Sequence, residues 1–268
     1  MLHVSFQDNG DKSVDSPKMV GPDFELFKII EQRYIQDYTL LSKPKRVIKD
    51  EQLQESLRYF MERADIVLQH ITIDIKALIQ KGFVYLLRCN YGDAIFSFEK
   101  ARDKEKDDIF CLLGLGWCFM EMQETVSSDH SFRSTAKEKS IHYLLQVSQN
   151  KDRKTRGFTI SDHKWACRRA LFGLSKLYDS PTERFDKLTV LNALVSHEPD
   201  IYSNLFTIAK LYNEVEMWDM AHNTLMLLSR KNIRSHLIDD LESQVKQHMI
   251  DYVLNTEASP KCPYGFGN

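Results

Sequence analysis

Residues 78–101 read LIQKGFVYLLRCNYGDAIFSFEKA, and this stretch carries the clearest structural pattern of the chain. Its apolar residues recur at the spacing of two amphipathic helices. The first half carries a large, a small and an aromatic residue, and the second half carries a small, a large and a small one: Leu78, Gly82, Tyr85, Ala94, Phe98 and Ala101. Small residues let a neighbouring helix approach, and aromatic rings fill the space beside them. The stretch therefore predicts a packed helix pair.

The same pattern returns three times further along the chain. The second copy lies 34 residues after the first, and the fourth lies 34 residues after the third. The matching small and aromatic residues are Gly116 and Phe119, Ser175 and Tyr178, and Ala209 and Tyr212. Self-similarity at a fixed period is typical of stacked helical repeats.

These units resemble the tetratricopeptide repeat family, whose 34-residue helix–turn–helix units stack into a right-handed superhelix. The resemblance covers about residues 74 to 231. It implies an all-α fold, an α-α superhelix of about four to five helix pairs with a C-terminal capping helix.

Both ends of the repeat region carry further helical patterns. Upstream, residues 24–41 and a helix with buried positions at Leu57, Met61, Ala64 and Val67 are expected to form a degenerate leading pair. Downstream, a helix should cover the last apolar face with Leu237, Leu241, Val245 and Ile250.

The helical domain is expected to span residues 24–254. Residues 1–23 are polar and predict a disordered arm, and residues 255–268 predict a flexible tail. The second and third units depart from the repeat length, because long insertions near 123–135 and 150–163 read as loops. The third unit also carries Lys187 where the pattern has a small residue.

Composition excludes several broad classes. The chain has 268 residues, 43% of them hydrophobic, and a net charge of -2, so nothing in its overall charge attracts nucleic acid or an anionic membrane. No apolar stretch approaches a membrane span, and residues 1–18 lack a signal-peptide core. Five cysteines without a CxxC pair suit a reducing compartment. We expect a cytoplasmic protein, with the nucleus or the cytosolic face of a membrane complex as alternatives, and no nucleic-acid partner.

Motifs for catalysis and cofactors are missing from the sequence. It contains no HExxH, no paired Cys/His spacing, no Gly-rich nucleotide loop and no GxSxG. We therefore predict no catalytic residue, no metal site and no cofactor. One alternative stays open, because each insertion carries Ser, Asp and His close together, ending at His130 and His163, which could build an enzyme or metal site.

The resemblance implies a concave groove lined by the first helix of each pair, where proteins of this family bind a peptide or helix. The matching positions are Lys76, Ile79, Phe83, Leu86, Phe110, Leu113, Trp117, Met120, Arg169, Phe172, Lys176, Ser203, Phe206, Lys210 and Asn213. The first half of this set is apolar and the second mixes Phe with basic residues. It suits an amphipathic partner segment with an acidic end, anchored on Phe83, Trp117 and Phe172.

Two features qualify this groove. Several adjacent exposed aromatic residues would favour aggregation, so the alternative is that the chain covers its own groove. Apolar residues such as Ile79 and Trp117 also stand where chaperone-binding members of the family place carboxylate-holding side chains, so no chaperone tail is expected.

The sequence as a whole predicts a non-catalytic adaptor or scaffold, a subunit of a multiprotein complex. A narrower resemblance is carried by residues 169–174, RALFGL, which are similar to the cytosolic tetratricopeptide subunits of the endoplasmic-reticulum membrane protein complex. That resemblance implies a scaffold for a membrane insertase.

Overall fold

The computed structural model describes residues 26, 51–71, 73–125, 130–149, 160–198, 202–231, 233 and 235–257. Within this part of the chain the protein is all-α, with ten α-helices, one 3-10 turn and no strand, which confirms the all-α part of the predicted fold. The predicted arm 1–23, the partner helix 24–41 apart from Leu26, and the tail beyond 257 lie outside the described residues.

The helices are α1 (Glu51–His70), α2 (Ile75–Leu87), α3 (Tyr91–Arg102), α4 (Ile109–Thr125), α5 (His130–Gln149), α6 (Ile160–Leu177), α7 (Arg184–His197), α8 (Tyr202–Glu214), α9 (Trp218–Arg230) and α10 (His236–Glu257), and the 3-10 turn covers Pro181–Glu183. The chain divides into two compact units. The described residues up to Leu115 belong to the first unit and those from Gly116 to the second.

In the first unit α2 packs against both α1 and α3. The ring of Phe98 on α3 leaves no room for a Cβ atom at two positions of the neighbouring helices, and both positions are glycine. A Cβ atom added at Gly82 would lie 2.7 Å from the Phe98 ring, and one at Gly114 would meet the same ring. The close approach predicted from the small residue at position 82 is therefore present.

The turn between α2 and α3 has a counterpart in the second unit, between α8 and α9. In both turns a residue with positive φ follows the helix, Cys89 at 61° and Glu216 at 62°. The next amide donates to the carbonyl oxygen five residues back, Asn90 to Tyr85 and Met217 to Tyr212, each at 2.9 Å. This is a Schellman motif. Both preceding helices have 13 residues, so the turn comes at the same position in the two helix pairs, which therefore share one register.

In the second unit Leu144 of α5 takes the place that Phe98 has in the first. Added Cβ atoms at Gly116 and Gly173 would lie 2.6 and 2.7 Å from its methyl carbons. The Ser140 hydroxyl also donates to the Gly116 carbonyl oxygen at 2.7 Å, so α4 and α5 are in close contact.

Helix α10 covers the end of the second unit's core, as predicted, but with a different set of residues. Ile238, Leu241 and Val245 are buried against α8 and α9. Leu237 and Ile250, which were expected on the covering face, are about half exposed. The side of α10 that is buried depends on which residues contact the neighbouring helices. Periodicity alone predicts those residues only to within one position.

The two insertions were predicted as loops, and part of each is helical. His130–Thr135 forms the first turns of α5, and Ile160–His163 begins α6. Residues 126–129 and 150–159 lie outside the described part. The first turns of α5 are polar and have no apolar face. They remain helical because they extend a helix that Ala136 and Leu144 anchor in the core further along. Helix α10 likewise runs to Glu257, past the predicted start of the tail.

Candidate functional site

Most residues predicted to line an open groove are buried. Eight apolar positions are at most 5% exposed, namely Ile79, Phe83, Leu86, Phe110, Leu113, Trp117, Met120 and Phe172. Phe83 meets the Phe98 ring edge-on at 5.0 Å in the first unit, and Trp117 meets Trp165 at 6.3 Å in the second. Large apolar side chains gain more by packing between helices than by facing water. These eight side chains therefore do not line an exposed groove.

Arg169 was predicted as a basic groove residue and is instead part of the core. It is 2% exposed, and its guanidinium donates to Glu198 at 2.9 Å. Arg168 reaches the same carboxylate at 3.6 Å. A buried charge needs such a partner, so the ion pair of Arg169 with Glu198 holds α6 to the end of α7.

The remaining predicted residues reach the surface. Lys76, in the first unit, is half-buried, as are Phe206 and Asn213 in the second, while Lys176, Ser203 and Lys210 are exposed. The Lys176 ammonium lies 4.6 Å above the ring of Phe172, and the Asn213 amide oxygen lies 3.0 Å from His248 Nδ1. Four of these six residues lie on α8.

We call Ser203, Phe206, Thr207 and Lys210 the α8 face, because helical spacing places them on one side of α8. At the start of α8 this face borders a cavity of about 190 Å³, the apolar pocket. The pocket is lined by Tyr202, Ser203, Phe206, Leu228, Ile233, Ser235, Leu237 and Ile238. Leu237 is 51% exposed, so an apolar side chain at the pocket already meets solvent.

Towards the end of α8 the same face borders a second cavity of about 200 Å³, the charged pocket. Its lining residues are Tyr178, Asp179, Ser180, Pro181, Arg184, Lys187, Thr207, Lys210, Leu211 and Glu214. Arg184 pairs with Glu214 at 3.2 Å, whereas Lys210 lies 4.0 Å from that carboxylate. The Lys187 side chain makes no hydrogen bond or ion pair with any residue that the structure describes.

Two acidic groups beside the charged pocket form ion pairs with Lys137. Its ammonium lies 2.9 Å from both Asp179 and Glu183. The hydrogen bond from Lys137 lowers the pKa of Asp179 despite partial desolvation. Desolvation opposes the charge on Lys137, but its hydrogen bonds to Asp179 and Glu183 outweigh that effect and raise the pKa of Lys137. Both acidic groups therefore already have a cation of the protein as their ion-pair partner.

Sequence reasoning missed Lys187, Arg184, Ile233 and Leu237 as surface residues of the site. For Lys187 a signal existed, since it stands where the repeat pattern has a small residue. Arg184 and Ile233 lie beside helix ends, where helical periodicity does not predict which side of a helix a residue is on. No feature of the sequence therefore identified them as site residues.

The histidine-containing insertions are placed only in part. His130 is exposed at the start of α5 and His163 is half-buried in α6. No group of three potential metal ligands occurs among the residues with described positions. None of the described helices combines the length and apolarity that crossing a membrane requires.

No protein-family model matches the chain, and no curated protein matches it at a significant level.

Proposed function

We propose that the protein is a non-catalytic adaptor of the tetratricopeptide type that binds an amphipathic segment of another protein, as a subunit of a cytoplasmic multiprotein complex. The shared register of the α2–α3 and α8–α9 pairs supports the repeat interpretation, because stacked repeats reuse one turn geometry. The reducing-compartment cysteine pattern supports the location.

The observation that carries the proposal is the α8 face. One helix presents an apolar pocket at its start and a charged pocket at its end. A partner helix with apolar residues on one side and an acidic end would match both along a single line. Such a helix-in-groove arrangement is a recurring mode of peptide recognition.

The partner would be anchored by side chains different from those expected from the sequence. Phe83 and Trp117 are buried and are not available. Phe206 and Leu237 reach the surface at the apolar pocket and take the anchoring role. Loss of a central aromatic anchor costs about 2 kcal/mol, which corresponds to roughly a thirtyfold weaker Kd.

The test is selection of binders from a displayed library of random helical peptides about 20 residues long, with the full chain as bait. Affinities of the selected peptides are then measured by calorimetry for the natural chain and for Phe206→Ala. We expect roughly a thirtyfold loss. Because Phe206 also packs against the core, Leu237→Ala serves as a second variant that removes a half-exposed side chain without opening the core.

Phe96→Ala is the matched control, since this side chain is 66% exposed on α3 and lines neither pocket. It should leave peptide affinity unchanged. Peptides that bind all variants equally, or a library that yields no binder, would show that the α8 face is not a partner site.

A further inference from the structure

We propose that Lys187 determines which partner is accepted, by receiving a carboxylate of the bound segment about two helical turns from the apolar anchor. This inference rests on the proposed function and adds the chemistry of the acidic contact. Neither the position nor the spacing follows from the sequence, which pointed to Lys176 and Lys210 instead.

Lys187 is a long cation at a position where the repeat pattern places a small packing residue. It is half-buried in α7, and its side chain lines the charged pocket together with Arg184 and Lys210. A small residue there would pack between helices, whereas a lysine carries its charge to the edge of the cavity.

The lining of the pocket carries three cations, Arg184, Lys187 and Lys210, and two carboxylates, Asp179 and Glu214. Both carboxylates already form a salt bridge, Asp179 with Lys137 and Glu214 with Arg184. Lys187 acts on Asp179 only through longer-range attraction and forms no hydrogen bond or salt bridge with a described residue, and Lys210 has only the 4.0 Å contact to Glu214. An incoming carboxylate would thus complete a pair that the protein leaves open, and a basic group would be repelled.

The spacing between the two contacts follows from α8. The apolar pocket borders residues 202–206 of this helix and the charged pocket borders residues 207–214. At about 1.5 Å per residue their centres lie about 10 Å apart along the axis, which is the rise over about seven residues of a partner helix. We therefore infer an Asp or Glu seven positions from the apolar anchor, in either chain direction.

The experiment uses the peptides selected on the natural full-length chain. We expect an acidic residue about seven positions from the dominant apolar one, and its exchange for the corresponding amide should weaken binding about tenfold. Lys187→Glu should reverse the preference, so that a lysine at that peptide position restores binding to this variant. Lys164→Glu, an exposed charge reversal at the start of α6, is the matched control and should change nothing.

Circular dichroism confirms that each variant is folded, and Lys187→Met provides a second variant that keeps most of the side-chain stem. Selected peptides that depend on Phe206 but bind the natural chain, Lys187→Glu and Lys187→Met equally would overturn the role of Lys187 while leaving the proposed function intact. Peptides that do not depend on Phe206, or the absence of any binder, would overturn both.

Discussion

Cys89 and Glu216 adopt the same left-handed backbone conformation at the same place in two separate helix pairs, with φ of 61° and 62°. Each is the residue after a helix cap, and each amide donates to a carbonyl three residues back, Leu86 at 2.9 Å and Asn213 at 3.2 Å. Glycine is the residue that this conformation ordinarily selects. The helix turn is therefore imposed on side chains that disfavour it.

We expect Glu216→Gly to stabilise the protein by about 1 kcal/mol, because glycine removes the Cβ strain of the left-handed conformation. The urea midpoint measures this gain. Glu216→Ala keeps the strain and should give no gain. A midpoint that rises equally in both variants would show that loss of the glutamate charge, rather than backbone strain, is responsible.

The second prediction concerns glycine at helix crossings. Gly82→Ala should lower the free energy of unfolding by about 1 to 3 kcal/mol, because the new Cβ would lie 2.7 Å from the Phe98 ring. Gly92→Ala is a matched control on the surface of α3, where nothing lies within 4 Å of the new Cβ, and should be neutral or stabilising. Chemical denaturation of both variants measures the change in the free energy of unfolding for each. Equal stability of the two would contradict the close approach at Gly82.

The third prediction addresses the buried pair of Arg169 and Glu198. Glu198→Gln removes the charge of the carboxylate to which the nearly inaccessible guanidinium of Arg169 donates, so unfolding should become easier by about 3 to 5 kcal/mol. Glu242→Gln removes the half-buried partner of the exposed Lys246 in an i,i+4 pair within α10 and should cost at most about 0.5 kcal/mol. Thermal and denaturant unfolding compare the two. A loss below about 1 kcal/mol for Glu198→Gln would mean that the guanidinium finds another partner.

The fourth prediction is that Trp117→Ala acts on stability and not on recognition. The side chain is fully buried, so its truncation should cost about 3 to 5 kcal/mol by leaving a cavity. Far-ultraviolet circular dichroism during denaturation measures this loss, with Phe96→Ala as the exposed control. Native stability combined with lost peptide binding would instead place Trp117 in a partner site.

The fifth prediction is that the stability of the protein depends on pH through the ion pair of Asp179 with Lys137. Because the hydrogen bond from Lys137 lowers the pKa of Asp179 below its ordinary 3.8, the carboxylate stabilises the fold above that pH. The contribution disappears as pH falls through the lowered native pKa. The carboxylate is 68% exposed, so the effect stays below about 1 kcal/mol.

The natural chain should therefore exceed Asp179→Asn in stability at pH 6, and the two should converge below pH 3.8. Asp240→Asn, an exposed change on α10, should show no such convergence. A stability gap between the natural chain and Asp179→Asn that persists in acid would exclude the ion pair as its cause.

The candidate site was predictable in part. Phe206 and Lys210 were expected on one helix face from the resemblance to the repeat family, and in the structure Phe206 lines the apolar pocket and Lys210 the charged pocket. Lys187 and Leu237 were missed because their contribution depends on how α7 and α10 pack beside α8. Helical periodicity states which residues share a side of one helix, but it does not state which neighbour that side meets.

Residue size and spacing along the chain were enough to predict the helical fold class and the close packing at Gly82 and Gly116. They were not enough to show that Phe83 and Trp117 are core residues or that Arg169 is a buried ion-pair partner, which depends on how the helices pack. The reason is physical. An apolar stripe is driven to leave water wherever it finds a surface, and whether that surface belongs to the same chain or to a partner is settled by three-dimensional packing.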